Sequence, residues 1–240
     1  MNIVRIVLLS IIFSVSFPIH AENAQPATTD QDKASARMLD EGTKLLMAKK
    51  PQEAIEYFEK IVADYEKRFK NSNDRIFSAR SQAETLLYLL ETAAEKKGGA
   101  KAVVVSANLA YAHFMKAYAL IELGNLAESK LALERALALS PQNSQFLSEL
   151  GHIYQRGKNW PLAMQTFQRA EKAAEFSPPE LKNDELSRAW RGIGYVYVEL
   201  GQLDEAEKMY QQCLVLDKND KRAMNELRYV QDQKAKLSKQ

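Results

Sequence analysis

Apolar residues recur along this chain at three- and four-residue intervals, the spacing of one helix face. Met38, Leu39, Leu45 and Leu46 form a first such stripe, with Gly42 at a close-packing point. After the turn Lys49-Lys50-Pro51, where proline suits the opening of a helix, Ala54, Phe58, Ile61, Val62 and Tyr65 form a second. The cap formers Asn71-Ser72-Asn73-Asp74 break the pattern. Phe77, Leu86, Leu87, Leu89, Leu90 and Ala94 then predict one long helix over residues 75–97, ended by Gly98-Gly99. Lys101-Ala102-Val103-Val104-Val105 is β-branched and reads as extended, with Ser106 a good cap for the next helix. Helical spacing resumes and holds to the end. A helix of about 23 residues spans roughly 34 Å. Nine extended residues reach about 30 Å, so residues 98–106 are expected to run back along the extra helix and restore the alternation of helix directions.

The later helices repeat. Thirty-four residues separate Ala117 from Gly151, Leu120 from Tyr154, Ser129 from Ala163 and Leu133 from Phe167. Trp190-x2-Ile193-Gly194-x2-Tyr197, followed by Ala206-x3-Tyr210, is the best-preserved unit, and Leu147-x2-Leu150-Gly151-x2-Tyr154 with Ala163-x3-Phe167 is another. These motifs resemble the tetratricopeptide repeat, a helix–turn–helix unit of 34 residues. The resemblance is clear over residues 110–220 and weaker over residues 35–68. It implies an all-α, TPR-type helical-repeat solenoid (an α-α superhelix) of about four helix pairs, plus one extra long helix and a C-terminal capping helix. Each pair buries its apolar face only against its neighbours.

The predicted order is residues 1–21 a signal peptide, 22–34 a disordered lead-in, 35–70 a degenerate first repeat, and 71–109 the non-repeat helix and its extended return. Residues 110–143 and 144–175 are repeats and 176–186 an insertion. There Ser177-Pro178-Pro179-Glu180 reads as a capping box that starts the next helix about two turns early. Residues 187–220 are the last repeat and 221–240 a capping helix and tail, with Ala223, Leu227 and Val230 inward. The signal reading rests on Arg5, the apolar run 6–17 and Ile19-His20-Ala21. The run is short for a membrane span. The expected location is thus an exported compartment, most simply a bacterial periplasm, with no membrane contact after cleavage.

Composition removes alternatives. The chain has 240 residues, 27% of them charged, and a net charge of +2, too balanced for a nucleic-acid partner. Its single cysteine, Cys213, reads as a small buried apolar side chain. The histidines lack metal-site spacing, and neither a phosphate loop nor a nucleophile–base set stands out. The expectation is no enzyme, no metal and no cofactor.

In the family the resemblance points to, the first helix of each pair lines a groove that binds segments of other proteins. Trp190, Ile193 and Tyr197 pack against the second helix, so the opposite stripe carries Arg188, Arg191 and Tyr195. The equivalent stripes carry His152, Gln155 and Arg156, and before them Tyr111, Phe114 and Tyr118. Aromatic rings at one end and arginines at the other suit a protein or peptide segment with apolar anchors and a carboxylate. Two functions remain open at this level. One is a non-catalytic exported scaffold or adaptor that binds such a segment. The other is a self-associating structural or assembly module of the cell envelope, a homo-oligomer built through residues 75–97 or the array ends.

Overall fold

A computed structural model describes residues 29–94 and 101–238. The signal peptide, residues 22–28 of the lead-in and the Gly98-Gly99 break lie outside the described residues. Helix α1 (Asp30–Met47) starts earlier than the expected lead-in allows. Thr29 accepts a hydrogen bond from the Asp32 amide, and the Asp32 carboxylate accepts one from the Thr29 amide, a closed capping box. Helix α2 (Pro51–Phe69) opens on Pro51 as expected. The pairs α4 (Asn108–Glu122) with α5 (Leu126–Leu139), α6 (Ser144–Arg156) with α7 (Trp160–Ala173), and α8 (Pro179–Glu199) with α9 (Leu203–Leu216) follow. Helix α10 (Lys221–Leu237) closes the array. Asn125, Asn143, Asn159 and Asp220 cap α5, α6, α7 and α10 with their side chains.

All four pairs turn through one left-handed residue: Lys49, Gly124, Lys158 and Gly201. Glycine takes that conformation freely and lysine takes it at a cost, so the turn geometry reveals the frame even where the sequence does not. Inside three of the four pairs a glycine, Gly42, Gly151 or Gly194, meets a ring. A Cβ on Gly42 would lie 2.6 Å from the Phe58 ring, and one on Gly151 equally close to Phe167. Gly192 faces the same Phe167 ring from α8, where a Cβ would come within 2.4 Å. Cys213 is buried, and burial pushes its thiol up to about 11, in keeping with an inert packing residue.

The segment between the first two pairs differs from its expected form. Residues 75–97 are not one helix. Strand β1 (Arg75–Ala79) comes first, then α3 (Gln82–Ala94), then strand β2 (Ala102–Ser106). The strands pair in parallel, from Arg75 opposite Ala102 to Ala79 opposite Ser106. A parallel return requires a crossover, and α3 supplies it. The start of α3 is set by Ser81, whose hydroxyl accepts from the Glu84 amide, while the Glu84 carboxylate accepts from the Arg80 amide. Ser106 does not cap α4. It ends β2, and its hydroxyl meets the Tyr65 hydroxyl and Asp32. The extended return is present in β2, and α4 packs on both α1 and α2, so the array continues in register across the β–α–β unit.

Helix α8 spans 21 residues against 13 for α6, the early start expected from the insertion. Its capping box is not formed, because the N-cap is Pro178 and Ser177 donates instead to the Glu185 carboxylate.

Candidate protein-binding groove

The first helices of successive pairs touch along one face: α1 meets α4, rings of α4 meet Phe146 of α6, and α6 meets α8. Along α4 the expected aromatic stripe is present, but packed. Phe114 is 1% exposed, stacked on Phe146 at 4.4 Å and edge-on to Tyr118 at 5.0 Å and to Tyr111 at 6.0 Å. It is therefore a core residue and is withdrawn from the contact surface. The apolar side of an aromatic stripe is what neighbouring helices cover first. Tyr111 is half-buried and donates to Gln145 Oε1 at 3.3 Å. Tyr118 is half-buried; burial and then the Glu149 carboxylate raise its hydroxyl pKa.

The arginines are not idle either. Arg188 Nη1 lies 2.6 Å from Glu149 Oε1 between α8 and α6, and Glu149 holds the guanidinium charged against its burial. Arg191 pairs with Asp220, which also caps α10. Both arginines join helices, so a partner's carboxylate would compete with an internal one. Arg156 differs. It is exposed at the end of α6 and forms no ion pair among the described residues. Around it lie His152 and Gln155, joined at 3.1 Å through Nδ1 and Oε1, and Tyr195, whose ring is 6.5 Å from Trp160. Burial lowers the His152 pKa, and burial followed by Glu199 raises that of Tyr195. The structure thus gathers His152, Gln155, Arg156 and Tyr195 into one half-open patch on α6 and α8.

One group escaped the sequence reading. Arg80, beyond β1, reaches Glu84 on α3 at 2.7 Å and Glu185 on α8, with Ser177 alongside. The side chains of Arg80, Glu84 and Glu185 are 4%, 0% and 6% exposed. Burial opposes the Arg80 charge, but Glu185 and Glu84 hold its pKa well above the ordinary value. Ser81-x2-Glu84 was a visible capping signal; Glu185 carried none.

A cleft of about 400 Å³ opens elsewhere, between α2, β1, α4 and α5, lined mainly by Tyr65, Phe69, Ile76 and Leu139 with His113 and Arg135. Burial, then Arg135 and Lys116, lowers the His113 pKa to about 4. Among the described residues no three His, Cys, Asp or Glu side chains gather as metal ligands, and no helix is long and apolar enough to cross a membrane.

Family models described as tetratricopeptide repeat match residues 110–143 and 144–219. No curated protein matches the chain in sequence. Among solved structures, PilF of Pseudomonas aeruginosa aligns with a TM-score of 0.60 at 16% identity, over 87% of this chain and 72% of that one. MamA of Desulfovibrio magneticus RS-1 aligns with a TM-score of 0.52 at 16% identity, over 87% of this chain and 88% of that one. At such identity these likenesses establish the fold alone.

Proposed function

Since this chain belongs to the tetratricopeptide-repeat family, we propose that it is a non-catalytic, exported protein-interaction scaffold. It holds a segment of another protein against the face lined by α1, α4, α6 and α8. The observation that carries this reading is the patch on α6 and α8. Rings at Tyr195 and Trp160 offer apolar contact, Gln155 and His152 offer hydrogen bonds, and Arg156 offers an exposed guanidinium without an ion-pair partner among the described residues. Aromatic rings beside an arginine make the strongest contacts at protein interfaces, and guanidinium binds carboxylate bidentately. The matching partner is an extended or helical segment with apolar anchors and one carboxylate. Export is supported by the apolar run 6–17 after Arg5 and the small Ala21.

Photo-crosslinking in intact cells tests both halves. A crosslinker at Tyr195 should trap one discrete partner, while a crosslinker at the exposed Gln168 of α7 should not. Mass spectrometry of the trapped band should read Glu22 as the mature N-terminus. Arg156→Glu should weaken the purified complex about tenfold or more, roughly 1.4 kcal/mol. Equal trapping at Gln168, or binding unchanged by Arg156→Glu, rules out the groove. A retained residue 1 rules out the cleaved signal.

A further inference from the structure

Among the described residues, one face of the β–α–β unit is left uncovered. Helix α3 buries Glu84 and Tyr88 against the sheet and turns its opposite side outward. That side consists of Ala83, Leu86, Leu89, Leu90, Ala93 and Ala94, all exposed and none charged. Leu86 and Leu90 are each 58% exposed and Leu89 is 42% exposed. Isolated surface leucines are ordinary, but a continuous uncharged stripe marks an interaction surface. It also differs from the other outer helix of the array. On α10, Lys221, Arg222, Arg228 and Asp232 are exposed, as solvated faces are.

The order of residues in the stripe identifies its occupant. Ala83, Leu86, Leu90 and Ala93 are spaced three, four and three apart, the seam of a helix pair. The seam is a palindrome about Tyr88. In an antiparallel pair centred there, Leu86 of one chain faces Leu90 of the other, and Ala83 faces Ala93. A two-fold interface must be self-complementary in this way, since each patch meets its own copy. Alanines at both ends let the helices approach to about 8 Å, and antiparallel helix dipoles attract. We propose that the outer face of α3 is the seam of a two-fold homodimer, in which α3 packs antiparallel on α3 of a second copy. This surface is independent of the patch around Arg156.

The seam is presented on a fixed base. Arg80 ties the start of α3 to α8 through Glu84 and Glu185, so little order remains to be gained on pairing. One helix-on-helix contact buries less than the ~1,200 Å² of a standard interface, so the dimer is weak, in the micromolar range.

Sedimentation of the purified protein tests this directly. The wild type should shift from monomer to dimer with a midpoint in the micromolar range. Leu86→Lys with Leu90→Lys should raise that midpoint at least tenfold. Both side chains are exposed, and an unchanged circular dichroism spectrum and melting temperature confirm that the variant folds. Orientation is read separately by mixing Leu86→Cys and Leu90→Cys proteins under mild oxidation; Cys213 is buried and does not interfere. Antiparallel packing yields the mixed disulfide in preference to either homodisulfide, because residue 86 is offset from its own copy by about 6 Å along the axis. A protein monomeric up to about 1 mM, a dimer indifferent to both lysines, or preferred 86–86 disulfides would each overturn the proposal. A different protein bound at α3, with no self-association, would overturn it too.

Discussion

Phe167 shows how single residues set the spacing of the array. Its ring sits against Gly151 of α6 and Gly192 of α8 at once, so two glycines and one ring hold three helices together. The other ring of note, Phe114, lies wholly inside, and the distinction between an aromatic anchor and an aromatic core residue turns on which neighbours stack over it. His113 makes a further point at this scale. Buried beside Arg135 and Lys116, it keeps a pKa of about 4 in the folded protein, against 6.5 in an unfolded chain. Above pH 6.5 neither state is protonated at this residue and stability is complete. As pH falls from there toward 4, the unfolded chain takes up a proton that the folded one refuses, and stability declines. Between pH 7 and pH 5 this loss should be about 2 kcal/mol, with His152 acting in the same direction. Urea titrations of wild type and His113→Leu at both pH values check it. The variant should lose less on acidification, and an identical loss would remove His113 as the cause.

At the scale of elements, the β–α–β unit is the feature most at odds with helical spacing. Its first strand holds only five residues, too few for alternation to outweigh the apolar spacing downstream, and Ser81-x2-Glu84 is the signal that places the helix start correctly. The Arg75 amide donates to Lys101 O at 2.9 Å. In a parallel ladder that fixes which groups point inward. The amides of Val103 and Val105 face β1, and those of Ala102 and Val104 face outward. Hydrogen exchange should therefore be slow at Val103 and Val105 and fast at Ala102 and Val104. Uniform exchange along the strand would show that the register Arg75 opposite Ala102 does not persist in solution.

For the whole molecule, the two departures from the repeat meet. Arg80 follows β1, Glu84 opens α3, Ser177 and Glu185 belong to the insertion before the last repeat, and all four converge in a buried cluster. Arg80 and Glu185 are far apart in sequence, so their pairing staples the β–α–β unit to α8 across the intervening repeats. Removing one member of a buried ionic group costs more than removing all of it. Arg80→Met leaves two buried carboxylates facing each other and should lower stability by about 3–5 kcal/mol. Combining it with Glu84→Gln and Glu185→Leu should recover much of that loss. Urea unfolding of both variants decides the matter; an Arg80→Met protein within about 1 kcal/mol of wild type would show that the cluster carries no such load.

The sequence by itself determined the repeat. A 34-residue period, glycines opposite rings and helical spacing are local and periodic, so Trp190–Tyr197 and its upstream copies reveal helix pairs, their order and their core without coordinates. It also placed His152, Gln155, Arg156 and Tyr195 on one face, because helix geometry fixes which side chains share a side. What the tertiary structure decided was the pairing of charges and the covering of rings. Arg188 with Glu149, Arg191 with Asp220, and Arg80 with Glu185 join residues of different helices. No periodicity encodes such encounters, since they depend on where each helix end lands. Two readings changed for that reason: the arginines taken as open to a partner are mostly engaged at home, and the irregular segments, silent as motifs, lock to each other.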